Sequence, residues 1–296
     1  MAKTKLSIIF LNYNRIAETR QTTLHLLQQC ADRPEFEIIA IDNGSIDGTA
    51  DFLQQQTRIR SILLQDNTGI AGYRPGFSAA TGEYILVLDD DSCPKDISGI
   101  DAALQRMDTN PLIGITACHI ETPDGTQQWS WHLPKTKQLS SSPFFIGCGF
   151  IIRRDLFQKI DWYPDEFFLY QNEIDVSFKV RQLGFSIIYD PNCIIVHRGT
   201  PNQRPGWRRV FYPTRNTLWL IRRYYPKPMA WYLLISRLMI GLYRAISFGE
   251  TTCYFQAVRE GLSRPVSQTP LSHNLCKELS AFWKQNSIFH QIFKLT

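Results

Sequence analysis

The stretch YILVLDDDSCP, residues 84–94, sets the tightest limit on what this chain can fold into. Ile85, Leu86, Val87 and Leu88 form a short apolar run with β-branched members, the composition of a strand buried on both faces of a parallel sheet. Asp89, Asp90 and Asp91 follow at once, at the carboxyl end of that strand. In open α/β sheets the crevice beyond the strand ends is where ligands bind. Three adjacent carboxylates repel one another, so once they are even partly withdrawn from water a cation, a hydrogen-bond donor or a proton must offset the repulsion. Taken locally, the same residues also read as a solvated acidic turn ended by Pro94.

The neighbouring segments supply the rest of a sheet. LSIIFL at 6–11 precedes a helical stretch near 18–30, and EIIAID at 37–42 precedes one near 48–56. SILLQ at 61–65 leads into a glycine-containing stretch at 69–82, and the acidic strand into a polar helix near 97–107. That alternation is the βαβ rhythm of a parallel sheet, so the predicted class is α/β. With 296 residues, 44% of them hydrophobic and 12% aromatic, the chain can bury a sizeable core. No G-x-G-x-x-G follows the first strand and no P-loop occurs, which removes the common dinucleotide and triphosphate cradles. LSIIFL is too short for the apolar core of a signal peptide and reads as a first strand. The seven cysteines are scattered and include no CxxC pair, so they suggest neither a zinc site nor a disulfide framework, and a reducing compartment is expected.

Charge divides the chain in two. Residues 206–296 carry 13 Lys and Arg against 3 Asp and Glu, whereas residues 1–205 carry 19 against 24. A basic tail on an acidic body points to an anionic partner for the tail, a membrane surface or a nucleic acid.

The second strand repeats the pattern of the fourth. EIIAIDNGSIDGT puts Asp42 at a strand's carboxyl end, followed by the turn and cap residues Ser45, Asp47, Gly48 and Thr49. Asp42 fits an Asx-turn, and equally fits an acceptor for the imide N–H of a uracil or thymine ring. Six blocks now stand in order: LSIIFLNYNR at 6–15, IIAIDNGSIDGT at 38–49, DNTGIAGYRPG at 66–76, LVLDDD at 86–91, GCGFIIRRDLF at 147–157 and FFLYQNEIDVSFKVRQLG at 167–184. As a set they resemble the inverting family 2 glycosyltransferases of the GT-A fold, of the rhamnosyl-, galactofuranosyl- or hexosyltransferase kind.

The resemblance covers residues 6 to about 198. It implies a Rossmann-like, mixed but mainly parallel sheet flanked by helices, with residues 1–205 as a nucleotide-sugar-binding catalytic domain and residues 206–296 as a helical, membrane-associating extension. It implies a divalent metal, Mg²⁺ or Mn²⁺, at the D-x-D positions Asp89 and Asp91, with Asp90 and Asp89 on the nucleotide side. A hard cation bridging the phosphates stabilises the charge that develops on a diphosphate leaving group. His197, at the end of the strand-like IIVH, reads locally as a structural histidine; the resemblance implies a further ligand of the same metal.

The acceptor hydroxyl must lose a proton as it attacks the anomeric carbon, which calls for a carboxylate base. Residues 173–183 read as an amphipathic helix stopped by Gly184, with Asn172 as N-cap and Asp175 as its capping partner. By the resemblance Glu173 is the general base, Asn172 replaces the first acid of the family's pair, and Asp175 is the alternative base. Tyr13, Asn14, Gly69, Ala71 and Arg74 fall on positions near the nucleotide, with Arg74 suited to a phosphate; Pro75 stands where the family often has Asn. Gly147 and Gly149 either let the backbone approach the donor sugar or mark a bulge. Trp129 and Trp131 alternate as on one strand face, to stack on a sugar or to pack in a core.

In the tail, the apolar stretch 228–248 is interrupted by Arg237 and Arg244 and is expected to lie on the membrane rather than cross it. Aromatics and leucines would dip into lipid while Arg222, Arg223, Lys227, Arg237 and Arg244 meet anionic headgroups. A soluble helix packed on the catalytic domain or in a dimer interface is the other reading. The expected partners are thus a UDP- or dTDP-sugar donor, a lipid-linked or polysaccharide acceptor and an anionic membrane at the cytoplasmic face, without nucleic acid. Two rival functions remain: a phosphohydrolase in which Asp89 is the nucleophile and Asp91 the acid/base, and a membrane-bound scaffold of the same fold without turnover.

Overall fold

In the computed structural model, residues 3–128, 132–199 and 205–288 are described. Trp129 and Trp131 lie outside them. Strand β1 (Leu6–Asn12) is buried along almost its whole length, because it is covered on both sides in the way its unbroken apolar run predicts. It pairs in parallel with β2 (Phe36–Asn43) and with β4 (Tyr84–Asp89), and β3 (Arg60–Leu64) extends the sheet parallel to β2. The crossovers are α1 (Ile16–Gln29), α2 (Thr49–Gln54) and a 3₁₀ turn, Gly69–Tyr73, that runs into α3 (Arg74–Ala79).

Beyond β4 come β5 (Ser92–Pro94), α4 (Ile97–Thr109), β6 (Ile113–Glu121), β7 (Ser140–Ser141), β8 (Gly149–Arg153), α5 (Arg154–Lys159), α6 (Asn172–Gln182) and β9 (Ser186–His197). Among the described residues the strand order is β3-β2-β1-β4-β8-β6-β9-β5, with β7 also on β9. The sheet is mixed. It is parallel from β3 to β4 and between β6 and β9, and antiparallel around β8 and at β5 and β7. Leu6, Ile8, Phe10, Leu86, Leu88 and Ile100 belong to the core that fixes the sheet against its helices. Truncating such a residue, as in Leu86→Ala, costs about 2–5 kcal/mol.

Register decides what this scaffold presents. Asn12 stands opposite Asp42, and Leu11 opposite Asp89, so the first, second and fourth strands end together. The antiparallel β8 starts at that edge, with Gly149 opposite Leu88, and β9 ends with His197 opposite Ser92. A Cβ on Gly149 would meet Ile120 and Ile195 at 2.7 and 2.8 Å, so this glycine serves close packing in the core rather than an approach to a donor sugar.

The chain divides into two compact units, Met1–Glu166 with Asn172–Gly199, and Phe167–Gln171 with Thr200–Thr296. The second unit contains α7 (Gly206–Tyr224), α8 (Lys227–Phe248), α9 (Thr251–Ser263) and α10 (His273–Gln285). Its short segment Phe167–Gln171 holds Phe168, Tyr170 and Gln171 at φ 58, 67 and 68°, a region non-glycine residues rarely occupy. Buried Asn216 stabilises this turn by donating through Nδ2 to the carbonyls of Phe167, Leu169 and Tyr170 at 3.0, 2.9 and 3.0 Å, and Arg215 adds a bond to Phe167 at 3.0 Å.

Helix α8, with 22 residues, is long and apolar enough to cross a membrane by length and composition. Trp231, Ile235, Met239, Tyr243 and Ile246 leave a continuous apolar stripe exposed along it. Arg237 departs from the expectation that it meets lipid. It lies on the other side of the helix, over the ring of Trp283 at 4.8 Å, and its burial lowers its pKa to about 10. Arg222 is likewise engaged, donating to the carbonyls of Gly261 and Arg264 at 2.7 and 2.9 Å, whereas Lys227 and Arg244 are exposed.

Candidate functional site

The shared strand edge gathers the acidic residues, and a buried serine holds them in register. Ser92 Oγ accepts from the backbone N–H of Asp89 at 2.8 Å and donates to the carbonyl of Cys148 at 2.9 Å. Its own backbone pairs with His197 across β5 and β9. The three side chains so positioned converge: ligand atoms of Asp89, Cys148 and His197 all lie within 4.8 Å of one another.

Asp91 contacts the same imidazole. Its Oδ1 stands 3.2 Å from His197 Nε2, and its Oδ2 accepts from Arg15 Nη1 at 2.7 Å. Arg15 also reaches Oδ1 of Asp90 at 2.7 Å, so one guanidinium supplies the cation that adjacent carboxylates require. Burial by itself would raise the pKa of Asp91, but the positive charge beside it, from His197 when that ring is protonated and from Arg15, holds it well below the usual carboxylate range. Burial pushes Asp90 well above that range against the pull of Arg15, with Asp91 and Asp89 adding to the rise. Asp90, expected from sequence on the nucleotide side, is buried and ion-paired with Arg15.

The donor set fits a divalent cation. Gln128 accepts through Oε1 from His197 Nδ1 at 2.9 Å while its Nε2 donates to the His197 carbonyl at 3.3 Å. The imidazole then carries its proton on Nδ1 and presents a lone pair at Nε2. Nε2 and Asp91 Oδ1 are buried atoms without a hydrogen-bond partner. Two acceptors facing each other at 3.2 Å call for a cation or a second proton between them.

Asp42 forms the Asx-turn read from its sequence and keeps one carboxylate oxygen open. Oδ2 accepts from the Ser45 N–H at 3.0 Å, as an Asx-turn does, while Oδ1 is a buried acceptor without a partner. Asn14, at φ 52°, is used structurally: its N–H donates to Ser45 Oγ at 2.9 Å and its Oδ1 accepts from Ile46 N–H at 2.8 Å. Tyr13 is 37% exposed. The carbonyl of Gly69 accepts from Asn43 at 3.1 Å, which fixes the start of the 3₁₀ turn. Arg74, expected to meet a phosphate, is instead ion-paired with Asp161 and Asp165 at 2.7 and 3.0 Å.

The two candidate bases separate. Glu173 is half-buried, and its Oε1 would lie 2.7 Å from a Cβ on Gly147, so its carboxylate rests against bare backbone next to Cys148. Asp175 is fully buried and pairs with Lys179 at 2.8 Å. It secures the helix from inside, and Asn172 is itself the first residue of α6 rather than a cap before it. Tyr163 links the regions: burial, with the charges of Glu173 and Asp89 nearby, pushes its phenol well above its ordinary value.

Four contributors had no role assigned from sequence: Arg15, Ser92, Gln128 and Cys148. Arg15 lies in the NYNR block right after the first strand, whose carboxyl end a parallel sheet sets beside that of the acidic strand. Gln128 sits in a loop with no local signal.

Residues 7–161 match the model of glycosyl transferase family 2. Among curated proteins the chain is 32% identical over 117 residues to the glycosyltransferase GlyG of Streptococcus pneumoniae, covering 37% of this chain and 38% of that one. It is 32% identical over 131 residues to the putative teichuronic acid biosynthesis glycosyltransferase TuaG of Bacillus subtilis, covering 42% and 50%. The chain thus matches half or less of the length of these relatives. Among solved structures it is similar to the mannosyltransferase PcManGT of Pyrobaculum calidifontis, in complex with GDP-Man and Mn²⁺, with a TM-score of 0.60, 15% identity and coverage of 99% and 83%. TarS of S. aureus, residues 1–349, gives a TM-score of 0.60 at 17% identity, covering 87% and 80%. At these identities the likeness is one of fold. The family match leaves the phosphohydrolase reading of LDDDSC without support.

Proposed function

The chain belongs to glycosyl transferase family 2, with the GT-A fold, and we propose that it transfers a sugar, with inversion, from a UDP- or dTDP-sugar to a hydroxyl of a lipid-linked or polysaccharide acceptor. The observation that carries this reading is the meeting of Asp89, Cys148 and His197 at the strand edge, with Asp91 against the same imidazole and Glu173 against Gly147. Asp42 Oδ1 is the acceptor for the imide N–H of the base. A divalent cation, Mg²⁺ or Mn²⁺, held by Asp89, Asp91 and His197 would neutralise charge developing on the diphosphate. Gln128 keeps the His197 lone pair aimed at that position, and Arg15 holds Asp91 ionised. Glu173 takes the proton of the attacking hydroxyl. Support for the metal and for a nucleotide-diphosphate sugar comes from PcManGT, solved with GDP-Man and Mn²⁺, for a uridine nucleotide from TarS of S. aureus, solved with UDP-GlcNAc, and for the acceptor class from the teichuronic acid role given to TuaG.

The enzyme works peripherally at the cytoplasmic face of the membrane in this reading. Supporting it are the exposed stripe of α8 and the charge of the tail, 13 Lys and Arg against 3 Asp and Glu over residues 206–296. The decisive experiment is release of nucleoside diphosphate from a panel of UDP- and dTDP-sugars, with and without Mn²⁺. Release from one donor, dependent on metal, is expected. No release from any donor would favour a scaffold without turnover.

A further inference from the structure

We propose that Cys148 is a protein ligand of the divalent cation, giving the site a sulfur donor beside its carboxylates and imidazole and a preference for Mn²⁺, Co²⁺ or Zn²⁺ over Mg²⁺. The proposal rests on the metal reading above and concerns a residue that reading does not use. Three ligand atoms held at about 2.0–2.3 Å by one ion in tetrahedral or octahedral directions lie about 3–4 Å apart. The ligand atoms of Asp89, Cys148 and His197 are already within 4.8 Å of one another, so closing on an ion takes side-chain shifts of no more than about 1 Å. Independent of the cysteine, Asp91 is only 2% exposed and its Oδ1, without a hydrogen-bond partner, faces His197 Nε2, itself without one. These two atoms mark the place where a cation completes the site.

The backbone holds Cys148 in position for this role. Its carbonyl is tied to Ser92 Oγ, the hydroxyl that also takes the Asp89 N–H, and the next residue, Gly149, opens β8 in register with Leu88. Thiolate selects softer ions, whereas carboxylate and water alone suit Mg²⁺. On binding, the sulfur–metal bond forms as the thiol proton is released to solvent. A sequence scan for spaced cysteines misses such a site, because a single sulfur joins oxygen and nitrogen donors from other strands.

The test is a cobalt titration of the full chain followed by absorption spectroscopy. Wild type should develop the near-ultraviolet thiolate-to-cobalt charge-transfer band together with the weak visible bands of bound Co²⁺. Cys148→Ser and Cys148→Ala should lose the first and keep the second, with the Co²⁺-to-Mg²⁺ affinity ratio falling about 10–100-fold. Bound cobalt without the charge-transfer band, or a band that persists in both variants, overturns the proposal. If Mg²⁺ or Mn²⁺ supports nucleotide release while cobalt shows no such band, Cys148 alone is refuted. If the chain binds neither Co²⁺ nor Mg²⁺, the metal reading falls with it.

Discussion

A methyl group on Gly147 would stand 2.7 Å from Oε1 of Glu173, so the bare Cα of one residue is the wall against which the carboxylate of the other rests. The contact is at the end of a flexible side chain, and Gly147 is not in a left-handed conformation, so alanine there is tolerated by the fold and shifts the carboxylate instead. Displacing a reacting group by about 1 Å costs on the order of 10²-fold in rate. Gly147→Ala should therefore lower the transfer rate on that order while leaving the dissociation constant for nucleoside diphosphate unchanged. Equal losses in both would mean that the glycine shapes the donor pocket.

Glu173 and Asp175 are two residues apart and are expected to fail in different ways. Glu173→Gln cannot accept a proton and should lose on the order of 10²–10⁴ in transfer rate with its melting temperature unchanged. Asp175 is buried against Lys179, so Asp175→Asn should cost about 1–3 kcal/mol of stability and little chemistry at a temperature where it is folded. Turnover at saturating donor and acceptor, with melting curves alongside, separates them. A well-folded but inactive Asp175→Asn beside an active Glu173→Gln would move the base.

Gln128 touches the proposed metal only through His197, yet it sets which imidazole nitrogen carries the proton. Gln128→Ala should weaken Mn²⁺ binding by about 10–100-fold, as loss of an orienting partner does. Asp91→Asn removes a ligand outright and should abolish metal-dependent turnover. Titration calorimetry with Mn²⁺ on both variants checks this; unchanged affinity in Asp91→Asn would exclude it as a ligand.

Asp42 uses one oxygen for the Ser45 N–H and leaves the other without a partner. In Asp42→Asn, whichever way the amide is turned, its NH₂ faces a donor, either that backbone N–H or the imide of a bound base. UDP affinity should fall roughly 10–100-fold, the range of a lost hydrogen bond to a charged group. Affinity for inorganic diphosphate should not change; a parallel loss there would show that Asp42 acts on the phosphates.

The strands were legible because each is an apolar run bounded by turn residues, and the acidic ends of β2 and β4 announced the edge where ligands bind. The partners of those acids were not. Arg15, Ser92 and Cys148 reach Asp89–Asp91 through the parallel register of β1 with β4, the short β5 and the antiparallel insertion of β8, none of which leaves a local signal. The ion pairs of Arg74 leave no local signal for a related reason, since Asp161 and Asp165 are about ninety residues away along the chain. Arg237 was misassigned because the helical spacing that groups it with Arg244 does not say which side of α8 packs inward.

The side of α8 that faces out carries the last prediction. Trp231, Ile235, Met239, Tyr243 and Ile246 form one exposed stripe, with Lys227 and Arg244 exposed on the same helix. If the stripe enters a bilayer interface, full-length protein should float with vesicles containing anionic lipid, and salt should weaken the association by screening the basic residues. Replacing both Trp231 and Tyr243 by Glu adds two negative charges to the apolar face and should abolish flotation without lowering the melting temperature, because neither side chain is buried. Charge alone would predict that neutral vesicles never bind, whereas the stripe predicts weak, salt-insensitive binding to them. Wild type that ignores anionic vesicles at low salt, or that elutes as a dimer which Trp231→Glu and Tyr243→Glu dissociate, would show that the stripe meets a second protein chain.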